Sequence, residues 1–282
     1  MSSYHRPPSV AEALRLKREL PGSSFIAGGT DLLVQMKDRV RQPTALISIR
    51  HLSELTRIET DGGARLGAAT PLSDLADDSA LMTGWPILGE ALRDFASVQI
   101  RGSATIGGNL CNGSPAADAA PALIVLGARV RIAGLDGERL LPVEQLFEAP
   151  GRTRVREEEL LVSIELDPPL PSGHGVFLKK MRTAMDVSLA SIASLALLRD
   201  GRLEEIRLAA GSVAPVPMRL HETEKVLRDR PLTPERIAEA RRVARDEVRP
   251  ITDIRAGADY RRHIVGVFVQ RALEATLEKG DR

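Results

Sequence analysis

Apolar and polar positions over the first 170 residues form short blocks, some with helical and some with strand periodicity. Apolar residues spaced along one helix face follow Ser9, a favourable N-cap, and predict a helix over 10–20. Further helices are predicted over 32–37 and 86–96 and from Thr70-Pro71 onward, and strands over 25–27, 46–49, 57–60, 64–69, 130–132, 139–141 and 161–166. The dipeptides Asp61-Gly62 and Asp136-Gly137 fall between neighbouring strands, where they favour tight hairpins.

A proline- and glycine-rich segment, 168–173, predicts a linker, and the pattern changes beyond it. Strands are predicted over 176–181, 189–198 and 202–211, the last two joined at Asp200-Gly201. Two long helices follow, one beginning at Thr233-Pro234 and the other covering about 259–278. The last third of the chain is therefore predicted to be an α+β domain in which helices cover an antiparallel sheet.

Composition and charge narrow the function classes. The chain has 282 residues, and 39 lysines and arginines nearly balance 38 aspartates and glutamates, which argues against a nucleic-acid partner. Cys111 is the only cysteine, so this chain alone forms no intrachain disulfide, iron–sulfur cluster or cysteine-rich zinc site. No secretion signal and no apolar run of membrane-spanning length are present, and the sequence predicts a cytoplasmic protein. The five histidines show no metal-ligand spacing, and no catalytic triad is evident.

Two glycine-rich turns about 80 residues apart are the main candidate site: Ala27-Gly28-Gly29-Thr30-Asp31 and Thr105-Ile106-Gly107-Gly108-Asn109. Glycine allows positive φ and lets the backbone approach a ligand closely. Two such turns that converge can bind a pyrophosphate through backbone N–H groups, which predicts a dinucleotide cofactor. The pattern does not match the single-loop Rossmann fingerprint. The alternative is two ordinary turns in which residues such as Thr30 or Asp31 cap helices.

Small polar residues follow the second turn, namely Asn109, Asn112, Ser114 and Asp118. Asp118 lies among alanines, where a carboxylate is costly unless it accepts hydrogen bonds, and sugar-like hydroxyls are suitable donors. The alternative is a helix N-cap.

Cations near the start of the last third are also candidates. Lys179, Lys180 or Arg182 could face a flavin or a phosphate, or Arg182 could simply pair with Asp186. Cys111 is expected to be a buried structural thiol rather than a nucleophile.

Three segments together resemble the FAD-binding medium subunits of molybdenum hydroxylases, the family of xanthine, carbon monoxide, nicotine and aldehyde dehydrogenases. They are AGGTDLL at 27–33, QIRGSATIGGNL at 99–110 and SPAADAAPAL at 114–123. Segments near the N-terminus, the domain junction (Phe177, Lys179) and the C-terminus (Asp253, Arg261) extend the resemblance over nearly the whole chain. A related branch, 4-hydroxybenzoyl-CoA reductase, carries a cysteine-bearing insertion for a [4Fe–4S] cluster. With one cysteine, this chain resembles the form without that cluster.

The resemblance implies an α+β fold: a two-subdomain FAD-binding unit like that of vanillyl-alcohol oxidase and para-cresol methylhydroxylase, then an α+β C-terminal domain. The implied boundaries are 1–55 and 56–170 for the two FAD-binding subdomains and 175–282 for the C-terminal domain. Both glycine turns would contact the FAD pyrophosphate, and Asp118 with Ser114 the ribityl chain or flavin edge. Ile100 and Ile106 would pack near the flavin ring or the adenine, and Lys179 would lie near the cofactor.

The implied function is electron transfer inside a cytoplasmic heterotrimer, with no catalytic acid or base and no metal on this chain. A large molybdopterin subunit would oxidise a small organic substrate, and the [2Fe–2S] clusters of a small subunit would pass electrons to FAD and then to an external acceptor. Two alternatives stay open: a stand-alone flavin reductase like the enzyme that makes UDP-N-acetylmuramate, and an assembly scaffold that has lost FAD.

Overall fold

The structure is a computed structural model that describes residues 3–280, which contain three larger sheets and one two-stranded sheet. The strands are β1 (Ser3–His5), β2 (Ser24–Ile26), β3 (Ala45–Ser48), β4 (Ile58–Glu59), β5 (Ala64–Gly67), β6 (Arg129–Gly134), β7 (Gly137–Pro142), β8 (Phe147–Ala149), β9 (Arg152–Thr153), β10 (Leu160–Leu166), β11 (His174–Lys180), β12 (Ala190–Arg199), β13 (Arg202–Gly211) and β14 (Met218–Arg219). The helices are α1 (Val10–Glu19), α2 (Leu32–Lys37), α3 (Leu72–Asp77), α4 (Ser79–Gly84), α5 (Pro86–Arg93), α6 (Val98–Arg101), α7 (Ile106–Cys111), α8 (Ala119–Val125), α9 (His221–Leu227), α10 (Pro234–Glu247) and α11 (Ala258–Gly280).

The N-terminal sheet is parallel, in the order β1-β3-β2. Helix α1 begins as predicted, with the Ser9 hydroxyl accepting a hydrogen bond from the Glu12 N–H, and it buries Ala13 and Leu14 in one cluster with Ile47 of β3. The sequence pattern missed β1, because three residues with an exposed Tyr4 carry no readable periodicity.

The central sheet is antiparallel, in the order β4-β5-β10-β6-β7, and includes the predicted hairpins β4–β5 and β6–β7. Its buried face carries Leu66, Val130 and Ile164, which share a core with helices α5 and α8. Every residue of α8 is buried, so this short helix lies in the middle of the molecule rather than on its surface.

The C-terminal sheet is antiparallel, in the order β11-β12-β13-β14, and it packs on both faces. One face, with Ile192 and Leu208, shares a core with α10 and α11. The alternate residues Ala193 and Ala209 belong to the central core that contains α8. Because side chains alternate along a strand, the same two strands join the C-terminal part of the chain to the central part. The predicted α+β architecture is confirmed.

Candidate cofactor site

The two glycine turns converge on one cleft. A cavity of about 420 Å³ is lined by both turns and by the polar segment that follows the second. The first turn connects β2 to α2. Its Gly28 has no room for a side chain, since a Cβ there would lie 2.0 Å from the carbonyl oxygen of Ser103, next to the second turn. The backbone of the first turn therefore packs closely against Ser103 and Ala104, the two residues that lead into the second turn.

The first turn leaves several backbone donors without partners. The N–H groups of Gly28, Gly29, Thr30 and Asp31 make no hydrogen bond within residues 3–280. Gly29 has φ of +72°, a left-handed conformation that favours glycine. Asp31 precedes α2, but its side chain makes no capping hydrogen bond. The simple capping interpretation of this turn is therefore wrong.

The second turn is different, because it is the start of helix α7. Thr105 is the N-cap, and its hydroxyl accepts a hydrogen bond from Gly108 N–H at 3.1 Å. The N–H of Gly107 donates to the carbonyl oxygen of Ala68, and that of Asn109 to Thr105. Neither Gly107 nor Gly108 has a positive φ. The interpretation of this turn as a helix cap is therefore correct. Among the described residues, the side-chain oxygen Oδ1 of Asn109 is buried and has no hydrogen-bond partner.

Asp118 lies on the wall of the same cavity, in an ion pair that joins two parts of the chain. It precedes α8 but makes no capping bond. One carboxylate oxygen, Oδ2, accepts a hydrogen bond from Lys179 Nζ on β11 at 2.7 Å, and Oδ1 is buried without a partner among residues 3–280. Burial raises the pKa of Asp118, and the Lys179 cation opposes that shift.

Apolar side chains form the remaining wall of this cavity, and they include Phe95, Ile100, Met185 and Val187. Phe95 and Met185 were not singled out in the sequence, where nothing distinguishes them from ordinary core or loop residues. Ile106, expected near the ring or the adenine, is instead fully buried in the core and lines neither this cavity nor its neighbour. Arg182 and Asp186 pair with each other across a turn at 2.7 Å, as one of the two interpretations predicted.

A second cavity of about 610 Å³ adjoins the first. The two share wall residues at the glycine turns, among them Ala27, Thr105 and Gly108. Lys17 and Arg152 line the second cavity. Lys17 is buried and donates to the carbonyl oxygen of Ser23 at 2.5 Å, and burial lowers its pKa. In the sequence, Lys17 only interrupts an apolar helix face, so its place at this site was not predicted.

Cys111 lies on the wall that the two cavities share and is exposed there, so the expectation of a buried thiol is wrong. The protein atoms around this concave site desolvate the thiolate and raise the pKa of Cys111 to about 12. A thiol with that pKa is protonated at neutral pH, and the absence of a nucleophilic role for Cys111 stays a prediction.

The described part of the chain offers neither a metal centre nor a membrane span. Residues 3–280 hold no cluster of three or more side chains suited to bind a metal ion. Within the same residues, no helix has both the length and the apolar character needed to cross a membrane.

Comparisons with known proteins match the whole chain. Residues 1–169 match the model for the FAD-binding domain in molybdopterin dehydrogenase, and 176–276 match that for the carbon monoxide dehydrogenase flavoprotein C-terminal domain. The xanthine dehydrogenase FAD-binding subunit of Escherichia coli O157:H7 is 32% identical over 100% of this chain and 98% of its own. The carbon monoxide dehydrogenase medium chain of Hydrogenophaga pseudoflava is 32% identical over 96% of both chains. A solved structure of the carbon monoxide dehydrogenase from that organism superposes with a TM-score of 0.96 at 31% identity, covering 99% of this chain and 98% of that one.

Proposed function

This chain belongs to the family of FAD-binding medium subunits of molybdenum hydroxylases, and from that premise we propose that it is the electron-transfer subunit of such an enzyme. When bound, FAD would supply the redox chemistry, which is electron transfer between the [2Fe–2S] clusters of a partner subunit and an external acceptor. The protein binds and orients the cofactor, and no side chain is assigned as an acid or a base.

The residues of the cleft fit FAD. A pyrophosphate needs backbone donors, and the first turn offers unpartnered N–H groups at Gly28 to Asp31. Asn109 Oδ1 and Asp118 Oδ1 are buried acceptors without partners among residues 3–280, whereas buried polar atoms are normally hydrogen-bonded. Hydroxyl groups of the ribityl chain are donors of the right kind for both. The single observation that carries the proposal is that both turns, Asn109 and Asp118 line one cavity.

The two adjoining cavities support an extended cofactor with the pyrophosphate at their shared wall. We assign the flavin ring to the cavity with Asp118, because Phe95 and Ile100 give it an apolar wall. We assign the adenosine end to the second cavity, with Lys17 and Arg152. This assignment places the ring beside Met185 and Val187, which are 61% and 45% exposed and leave that end open to redox partners.

A partner surface is also part of the proposal. Helix α2 follows the first glycine turn and has no buried residue, although Leu33 and Val34 are apolar and about half exposed. Val40, just beyond the helix, is 74% exposed. A segment of this composition favours contact with another chain, and we propose that a small iron–sulfur subunit and a large molybdopterin subunit complete the enzyme. The cytoplasmic location stays a prediction.

The test is a binding titration of the FAD-free protein. We expect one FAD per chain, competition by ADP because it fills the adenosine and pyrophosphate sites, and FMN affinity at least about 100-fold weaker because FMN reaches only one cavity. No FAD binding would reject the proposal and favour an assembly scaffold. Steady oxidation of NADH by the chain alone would instead favour a stand-alone flavin reductase. Equal affinity for FMN and FAD would reject the two-cavity assignment.

A further inference from the structure

Arg41 is a cation on the wall that the two cavities share. It lies four residues beyond the end of α2 and lines both cavities. Among the described residues, the wall of the first cavity includes no other lysine or arginine, but it includes the carboxylates of Asp31, Asp118 and Asp186. An anionic ligand in this cavity is repelled by those carboxylates, so it needs a cation close to its own charge.

The guanidinium of Arg41 is available to a ligand. It has no hydrogen-bond or ion-pair partner within residues 3–280. The lysine and the other arginine that line the second cavity have protein partners, since Lys17 donates to a backbone carbonyl oxygen and Arg152 pairs with Glu148 at 3.5 Å. A guanidinium carries five N–H donors in a planar fork, a geometry that suits phosphate oxygens.

The backbone that carries Arg41 is fixed to the cleft through Gln35 of α2. The carbonyl oxygen of Gln35 accepts hydrogen bonds from the N–H groups of Val40 at 2.8 Å and Arg41 at 3.2 Å. Its side-chain Nε2 donates to Oδ1 of Asn112, just after α7, at 3.2 Å. The free N–H groups of the first turn and Arg41 therefore belong to one segment, 28–41, which is bonded across the cleft at Gln35.

We propose that Arg41 is a phosphate-binding residue: its guanidinium binds the FAD pyrophosphate at the shared wall, together with the N–H groups of the first turn. This inference rests on the proposed function. The backbone groups supply directed donors, and Arg41 supplies the positive charge that the first cavity otherwise lacks on its wall among residues 3–280. Because Arg41 is exposed, salt screens its attraction for the pyrophosphate.

The test is FAD affinity of the FAD-free full chain, measured by flavin fluorescence at about 20 mM and about 500 mM NaCl. Arg41→Gln should bind FAD about 10-fold more weakly than wild type at low salt, because it loses a charge-assisted hydrogen bond. At high salt the difference should shrink to about 3-fold or less, since salt screens the attraction that only wild type has. ADP carries the same pyrophosphate, so its affinity should fall by the same factor.

Lys37→Gln is the matched control, because it removes one positive charge from the same segment. Lys37 is the exposed last residue of α2 and lines neither cavity. Its FAD affinity should stay within about twofold of wild type at both salt concentrations.

Three results would overturn the inference. They are wild-type FAD affinity in Arg41→Gln at low salt, an equal loss at both salt concentrations, which indicates a purely structural role, and an equal loss in Lys37→Gln, which indicates a general effect of net charge. Weaker FAD binding with unchanged ADP affinity would also overturn it, because Arg41 would then act on the flavin part.

Two further measurements keep the test decisive. If circular dichroism shows that Arg41→Gln is unfolded, wild type decides, since FAD affinity that is the same at both salt concentrations contradicts the proposal. Failure of wild type to bind FAD would instead reject the proposed function.

Discussion

The two glycine turns share a Gly-Gly pair followed by a polar residue, yet they have different structures. In the first, Gly28 allows close packing against the Ser103 backbone just before the other turn, Gly29 is left-handed, and the N–H groups have no partners in the described residues. In the second, Gly107 and Gly108 are helical and their N–H groups are already bonded inside the protein. The first turn therefore supplies the N–H donors of the site. The N–H groups of the second turn are used within the protein, so that turn has a structural role.

This difference shows that a Gly-Gly pair indicates close packing of the backbone but does not indicate whether a ligand or another part of the protein packs there. At Gly28 the neighbour is the Ser103 carbonyl, and at Gly107 it is Ala68, so both glycines are required by other parts of the protein. Gly108 has only the Thr105 hydroxyl within 3 Å of a Cβ position, and it lines both cavities. Alanine substitutions at Gly28, Gly107 and Gly108 test the effects on folding and on ligand binding separately. We expect the loss of stability to decrease in that order.

Gly28→Ala should have the largest effect. A Cβ at 2.0 Å from the Ser103 backbone oxygen is a clash that no side-chain rotation can relieve, so the first turn must move away from the segment that leads into the second. We expect a loss of about 3 kcal/mol in the free energy of unfolding, at the upper end of overpacking costs, and no measurable FAD binding. Chemical denaturation and FAD titration check this.

Gly102→Ala is the matched control for that variant. Gly102 lies between the two turns in sequence, has right-handed helical φ and ψ, and leaves 3.7 Å between a Cβ and the nearest atom, the Val98 oxygen. Its stability should stay within about 0.5 kcal/mol of wild type, as for most surface substitutions. FAD binding by Gly28→Ala at wild-type strength would show that close packing of the first turn on Ser103 is not needed.

Gly107→Ala should have an intermediate effect. The new methyl would lie 2.6 Å from the Ala68 oxygen and 2.7 Å from the Ala68 Cβ, which forces α7 away from the central sheet. Because the clash includes a backbone oxygen, we take the upper part of the overpacking range, about 2–3 kcal/mol; about 1 kcal/mol of better helix propensity offsets it, which leaves a net loss of about 1–2 kcal/mol. The midpoint of urea unfolding measures this, and a variant as stable as wild type would contradict the close packing of α7 against Ala68.

Gly108→Ala should change stability least and still weaken FAD binding. The contact with the Thr105 hydroxyl is partly compensated by helix propensity, so unfolding should shift by no more than about 1 kcal/mol. Because Gly108 faces the cavities, we expect FAD affinity to fall about 10-fold, within the cost of a small overpacking clash. Thermal unfolding and FAD titration of the same preparation check both parts. Unchanged affinity would place the cofactor away from the second turn.

Sequence reasoning succeeded where a local pattern specifies a local structure. The cap at Ser9, the helix start at Thr233-Pro234, the hairpin at Asp61-Gly62 and the long C-terminal strands follow from residues close together in the chain. It failed at Lys17 and Phe95, whose positions beside the cleft depend on segments far away in sequence. The prediction for Cys111 was also wrong, because its apolar neighbour Leu110 is buried in the core whereas Cys111 itself faces the cleft.

The sequence by itself determined the α+β architecture, the family and the candidate turns, because periodicity, caps and motif letters are local or nearly local properties. Only the tertiary structure decided which turn keeps free N–H donors within residues 3–280 and that Lys179 is bonded to Asp118 rather than lining the cleft. Those features depend on which groups from distant parts of the chain lie within hydrogen-bonding distance of each donor. The packing between sheets determines those partners, and it cannot be read from any single segment of the sequence.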